Sequence, residues 1–370
     1  MTPNIDVSVT LTPKIRLERA LKQAGIDDPR TVDKLTVAGT LTPKDFALIG
    51  DMTLHELDMS GVSFKKNKIP DNAFHYCAGL TSVVIPDSVT TIGDNAFYDC
   101  TGLTSVTLPD ALITIGCDAF AGCTGLTSAT LPLSVTTVGE RAFAGCTGLT
   151  SATLPDSVKK IGKEAFKGCA GLTSATLSAS VTRIEKETFE GCTGLTLVTL
   201  PASVTTIEDG AFYRCTGLTS VTLPASVTEI EERAFSCPLD VHPDHPLFSS
   251  ENGVLFNRDK TELIICPANR QGDYVIPDSV KAIGEGAFHG CTGLASITLP
   301  DRVATIGDYA FEDCTGLTSV TLPASVTKIG KDAFDDELYI TVHPDNPVYE
   351  SVNGKIRRKG ETKEITPKQN

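Results

Sequence analysis

The groups best equipped for chemistry are the thiols, with a few histidine, serine and acidic side chains. Cys77, Cys100, Cys123, Cys146, Cys169, Cys192 and Cys215 recur every 23 residues, and Cys291 and Cys314 resume the beat after a gap. Thiols in such a series could form disulfides or hold a soft metal. Stacked about 4.8 Å apart, however, parallel side chains do not reach the disulfide torsion, so a column of buried, reduced thiols is expected. Cys117, Cys237 and Cys266 lie off the column, and a bridge between the last two stays open. His242-Pro-Asp-His245 offers two imidazoles, but a later copy of the segment carries Asn346 in place of His245. A structural turn is therefore expected there, and no metal site. Ser157-x-x-Lys160 and Ser325-x-x-Lys328 have the spacing of a serine nucleophile and its lysine base, yet both arise from repeated text. No glycine-rich phosphate loop, His-Glu-x-x-His pair or nucleophile elbow is present. The chain is read as non-catalytic and without a cofactor.

The elements that position these residues follow one period. Phe74, Phe97, Phe120, Phe143, Phe166, Phe189, Phe212 and Phe235 are 23 residues apart, and Phe288, Phe311 and Phe334 continue the series. A fixed period of this size predicts a solenoid in which each repeat is one coil. Within a coil, Leu103, Val106 and Leu108 point inward from a short strand, and Pro109 ends it. Ile113 and Ile115 form a second apolar group on the return side. The segment "CDAFAGC" then spans about one helical turn, with Phe120 and Cys123 on one face. Gly125 and its equivalents are expected to leave that turn with positive φ. Acidic residues before each Phe, among them Asp94, Asp118, Glu164 and Asp308, suit the start of such a turn.

The unit "C-T-G-L-T-S-V-T-L-P-x-S-V-T-x-I-G-x-x-A-F" resembles the Treponema pallidum-type leucine-rich repeat of BspA-like bacterial surface proteins. The resemblance covers the chain from about Leu54 to Ile356. It implies a curved, right-handed leucine-rich-repeat solenoid of short strands and short helical turns with a helical N-terminal cap. It also implies adhesion to host matrix or to other cells, at the cell surface or after secretion. No signal peptide precedes the repeats.

About fourteen coils are counted, and the expected organisation has five parts. Residues 1–53 form an N-terminal cap with an atypical first coil, and 54–235 are regular repeats. Residues 236–274 form an irregular repeat with a hairpin at Asn252-Gly253, 275–335 are regular again, and 336–370 are a hairpin cap and a disordered tail. Residues 1 to about 11 read as extended and poorly anchored. Two helices are expected. One runs from Thr12 as N-cap, with Leu17, Leu21 and Ala24 as its apolar stripe, and covers the open end. The other follows Thr42 and Pro43.

Formal charge is −14, which disfavours nucleic acid as a partner. No apolar run reaches the roughly 18 residues of a membrane span. A monomer is expected. The surface that invites a ligand is a concave Thr/Ser face: Thr107, Thr130, Thr153, Thr176, Thr199 and Thr222 in one outward file, interrupted in the neighbouring serine file by Leu197. His55, Glu56 and Asp58 mark one end. This face is read as the binding surface for a protein or glycan partner; the alternative is a spacer that presents other domains and has no ligand of its own.

Overall fold

The structure is a computed structural model that describes residues 5–361. It falls into two compact units that divide at Ile207 and Glu208, and each is built of leucine-rich-repeat coils. No helix among the described residues is long and apolar enough to cross a membrane.

The N-terminal unit opens with three parallel strands, the first two of them followed by α-helices. Strands β1 (Ile5–Thr10), β2 (Val32–Gly39) and β3 (Glu56–Val62) pair in parallel, with helices α1 (Leu17–Gln23) and α2 (Pro43–Asp51) between them. Residues 5–10 are thus anchored, contrary to expectation, because Val7 and Val9 enter the core and the backbone pairs with β2. This extra coil raises the count above fourteen. Helix α1 starts at Leu17 rather than Pro13, since Thr12 and Ile15 bond to each other in a tight bridge. Its buried face is Leu17, Ala20 and Leu21, and Ala24 is exposed. At α2, the Asp45 carboxylate accepts the Thr42 N–H at 2.8 Å, half of a capping box. The same carboxylate accepts the Leu17 N–H at 3.0 Å and so ties the two helix starts together.

Regular coils follow. Ser82–Val84 and Ser105–Thr107 continue the parallel sheet, a single bridge joins Ser105 to Ser128, and Ser151–Thr153, Ser174–Thr176 and Leu197–Thr199 form the next sheet. On the return side Lys68–Ile69, Thr91–Ile92, Thr114–Ile115, Thr137–Val138 and Lys160–Ile161 make a second ladder. Between the ladders Phe74, Phe97, Phe120, Phe143, Phe166 and Phe189 stack with centroids 5.2–5.5 Å apart. Edge-on contact with Phe46 of α2 at 5.4 Å closes the first end of that stack.

Two expectations about the Phe-bearing segment need correction. It is a run of tight turns, not a helix start: Asp118, Glu164 and Glu187 have left-handed backbones, with φ of 52°, 56° and 54°. The acidic residues also belong to two columns. Asp71 and Asp94 instead accept the backbone N–H of the residue 23 further on, Asp94 and Cys117, each at 2.8 Å. Gly125 does not have positive φ. A Cβ there would lie 2.7 Å from the Thr101 carbonyl oxygen, so close approach of the preceding coil is what excludes a side chain.

In the C-terminal unit the outward strands pair as Val221–Leu223 with Leu239–Val241, Gly272–Val275 with Leu294–Thr298, and Ser319–Leu322 with Tyr339–Val342. The expected hairpin is present: Phe248–Glu251 and Val254–Asn257 run antiparallel, and Asn252 and Gly253 both have positive φ (51° and 79°). Glu262–Ile265 then feeds the return ladder through Ala282–Ile283. A second antiparallel hairpin, Tyr349–Val352 with Lys355–Arg358, ends the described chain. The disordered tail expected after it, 362–370, lies outside the described residues.

Candidate functional site

The thiols are structural. All the cysteines are free, including Cys237 and Cys266, and all but Cys117 are buried. In the regular run the column thiols donate to the carbonyl of the Phe 26 residues earlier: Cys100 to Phe74 at 3.0 Å, and Cys123, Cys146, Cys169 and Cys192 to the next four at 3.1 Å, whereas Cys291, after the hairpin, faces the Cys266 and Pro267 carbonyls at 3.8 and 3.7 Å. The column therefore satisfies a buried carbonyl that valine would leave with one partner fewer, a role sequence reasoning missed. Burial pushes the Cys123 thiol up to about 12, away from the reactive thiolate.

The imidazole pair is also structural. His245 is fully buried, and its Nδ1 accepts the N–H groups of Leu247 and Phe248 at 3.2 and 3.1 Å. Asn346 stands in the same place in the last hairpin: its Oδ1 accepts the N–H groups of Val348 and Tyr349 at 2.9 and 2.8 Å. His242 is exposed, with its Nδ1 accepting the Asp244 N–H. Among the described residues no group of three His, Cys, Asp or Glu side chains could hold a metal ion. Ser325 of the Ser-x-x-Lys text donates to the Val303 carbonyl at 2.6 Å, as Ser203 does to Val181.

Hydroxyls divide sharply by column. Thr104, Thr127, Thr150, Thr173 and Thr196 each donate to the carbonyl of the threonine one coil earlier, at 2.9–3.2 Å. The adjacent outward files behave differently. Thr107, Thr130, Thr153, Thr176 and Thr199 are exposed, and among the described residues none of their hydroxyls has a hydrogen-bond partner in the protein. The same holds for Ser105, Ser128 and Ser151, and Ser174, half-buried, is likewise unpartnered among the described residues. Strand register places Thr153, Thr176 and Thr199 side by side, and Ser151, Ser174 and Leu197 beside them. Leu197 is 63 % exposed within that polar surface. Val84 pairs with Thr107 and continues the threonine file. The three residues expected to mark the end of the face are engaged internally. His55 Nδ1 lies 2.6 Å from Asp33, Glu56 pairs with Lys34 at 2.7 Å, and Asp58 accepts the Ser60 N–H at 2.8 Å. Thr222 belongs to the C-terminal unit, where it is exposed opposite Asp240.

A family model for the BspA type leucine rich repeat region, in six copies, matches residues 67–196, 113–239 and 270–348. The chain belongs to the BspA-type leucine-rich-repeat family. This BspA-type chain is similar to a leucine rich cell surface protein of Faecalibacterium prausnitzii, at 31% identity over 77% of this chain and 81% of that one, with a TM-score of 0.56. It shares the fold of a leucine-rich repeat protein from Bacteroides ovatus, at 24% identity over 78% and 92% of the two chains, TM-score 0.53. A Treponema pallidum leucine-rich repeat protein matches at 32% identity over 45% of this chain and 78% of that one, TM-score 0.41. No match is found among curated proteins. The family suggests a protein-binding or cell-surface role, and its members are typically non-catalytic.

Proposed function

We propose that this BspA-type chain is a non-catalytic binding protein that acts at the bacterial cell surface or after secretion, and that it holds an extended protein or glycan along the outward Ser/Thr files. The observation that carries this reading is the contrast between threonine columns. One column spends its hydroxyls on the backbone of the preceding coil, whereas Thr107, Thr130, Thr153, Thr176 and Thr199 keep theirs unpartnered on an exposed surface. The hydroxyls recur at a fixed step of about 4.8 Å, one per strand, and so offer an extended ligand laid across the strands a continuous row of donors and acceptors. Leu197 supplies an apolar anchor among them. The cell-surface neighbour from Faecalibacterium prausnitzii supports the location.

The test begins with the intact chain on immobilised matrix proteins and a glycan array. Thr176→Arg and Leu197→Arg place a bulky charge on the face without entering the core, so folding should be retained by circular dichroism. Both should abolish capture of the partner, while Lys163→Glu, outside the strands, should leave it within about twofold. Unchanged binding in both arginine variants would remove the face from the mechanism. Absence of any partner would favour a spacer.

A further inference from the structure

The rim of the C-terminal unit contains a gap that the regular coils lack. A regular coil passes from its Phe to the next strand by way of Phe-x-x-Cys-Thr-Gly-Leu, as from Phe212 to Leu218; the following coil shortens this to Phe-Ser-Cys-Pro-Leu, Phe235 to Leu239. Ser236 makes good one lost bond: its Oγ accepts the Arg214 N–H at 2.9 Å, where in a regular coil a backbone carbonyl serves, as Ala144 does for Gly122. The space of the missing residues stays open as a notch of about 430 Å³. Tyr213 reaches past the shortened coil and meets His289, with its hydroxyl 3.0 Å from Nε2.

The lining is unusual in what it leaves unused. Arg214, Asn269 and Asp313 present their side chains to the notch with no hydrogen bond to the protein among the described residues, and so do the hydroxyls of Thr216, Thr292 and Thr315. Arg214 only stacks on the Tyr213 ring, 5.2 Å from its centroid. The set combines a pure donor, a pure acceptor, and amide and hydroxyl groups that do both. One positive and one negative group leave no net charge to attract an ion. Leu218, Ala268 and the Tyr213 ring add a small apolar wall. A volume in this range suits a small ligand.

We propose that the notch binds a neutral saccharide residue, with Arg214, Asp313 and Asn269 on its ring hydroxyls and the threonine hydroxyls around them. Neighbouring sugar hydroxyls both donate and accept, which the mixed lining matches. A zwitterionic amino acid would use Arg214 and Asp313 but leave Asn269 and the three threonines unmatched. The site is separate from the Ser/Thr face, so either can fail without the other.

The experiment titrates the full chain, by calorimetry and ligand-observed NMR, with methyl glycosides of a neutral hexose and of an N-acetylhexosamine, and with free alanine as the zwitterion. At least one glycoside should bind with a dissociation constant of about 1 mM or tighter. Asn269→Leu and Asp313→Leu should each weaken it about tenfold or more, and Thr176→Arg should change nothing. A second reading needs no variant: saturating glycoside should slow phenylglyoxal modification of Arg214, followed by peptide mass spectrometry. Failure of every glycoside to bind, preference for alanine, wild-type binding by both leucine variants, or an unprotected Arg214 would each overturn the proposal.

Discussion

In the regular coils of the N-terminal unit, backbone carbonyls of one coil find side-chain donors in the next through columns of identical residues. The Phe97 carbonyl receives the Cys123 thiol, and the Thr104 carbonyl receives the Thr127 hydroxyl. The two hairpin modules of the C-terminal unit solve the same problem with single side chains. His245 and Asn346 each gather two backbone N–H groups, and Ser236 and Asp335 each accept an N–H that a regular coil would give to a carbonyl. Columns tolerate substitution of one member by another of like kind; a lone capping side chain has no neighbours to share its load. The contrast predicts where the molecule is uniform and where it is particular.

The sharpest separation should appear in thiol labelling. Column cysteines such as Cys146 and Cys169 react only when the core opens, so in the native state they should label slower than exposed Cys117 by about a thousandfold or more. All should label alike in denaturant. Rapid native labelling of the column, or peptides linked by disulfides between its members, would dissolve the picture of a sealed column.

Next in size is the aromatic stack. Phe166 has stacked neighbours on both sides, at 5.4 and 5.5 Å, and Phe166→Ala should cost about 3–5 kcal/mol in denaturant melts. A loss under about 1 kcal/mol would mean that neighbouring coils collapse over the gap, which is the opposite of a rigid column.

The hairpin side of the comparison rests on His245. His245→Ala strands the buried Phe248 N–H and the part-buried Leu247 N–H and should cost about 1–3 kcal/mol, whereas His245→Asn should recover most of it, because Asn346 performs that task in the second module. Equal losses in both variants would show that the two modules are not equivalent. Burial lowers the tendency of His245 to take up a proton, and a proton on Nδ1 would end its role as acceptor.

The smallest effect concerns Glu232. Burial, reinforced by its neighbour Glu285, pushes this carboxyl up to about 7. A carboxyl that is more basic folded than unfolded favours the folded state at low pH, and the advantage fades as pH rises from about 4.5 through about 7. Glu232→Gln should therefore gain stability relative to the parent at about pH 8 and match it near pH 4, read from denaturant midpoints. A difference that does not vary with pH would assign the effect to packing alone.

Much of this was legible in the sequence because a period turns position into environment. Phe120, Cys123 and Leu126 could be placed inside from spacing alone, and Thr107 outside. The hairpin at Asn252-Gly253 was legible from its turn chemistry. What spacing could not show is which atom of an adjacent coil a residue faces. Gly125 was read for its backbone angle when the cause is the Thr101 carbonyl, and the Cys123 thiol was read as filler when it is a donor. The strand Ile5–Thr10 lacks the repeat signature, so its anchoring depends on β2, which local sequence does not encode. The shortened rim did leave a trace, in the four-residue step from Phe235 to Leu239.

The constant offsets of the side-chain bonds have an evolutionary meaning. In the regular run, the threonine donors from Thr104 to Thr196 reach back 23 residues and the thiol donors from Cys100 to Cys192 reach back 26. Excise 23 residues from within the run, or duplicate them, and every donor at the new junction meets an acceptor of the same kind. Unequal crossing-over between the near-identical repeats can thus lengthen or shorten the protein without leaving an orphaned polar group. Length in this molecule is a trait that recombination can tune one coil at a time.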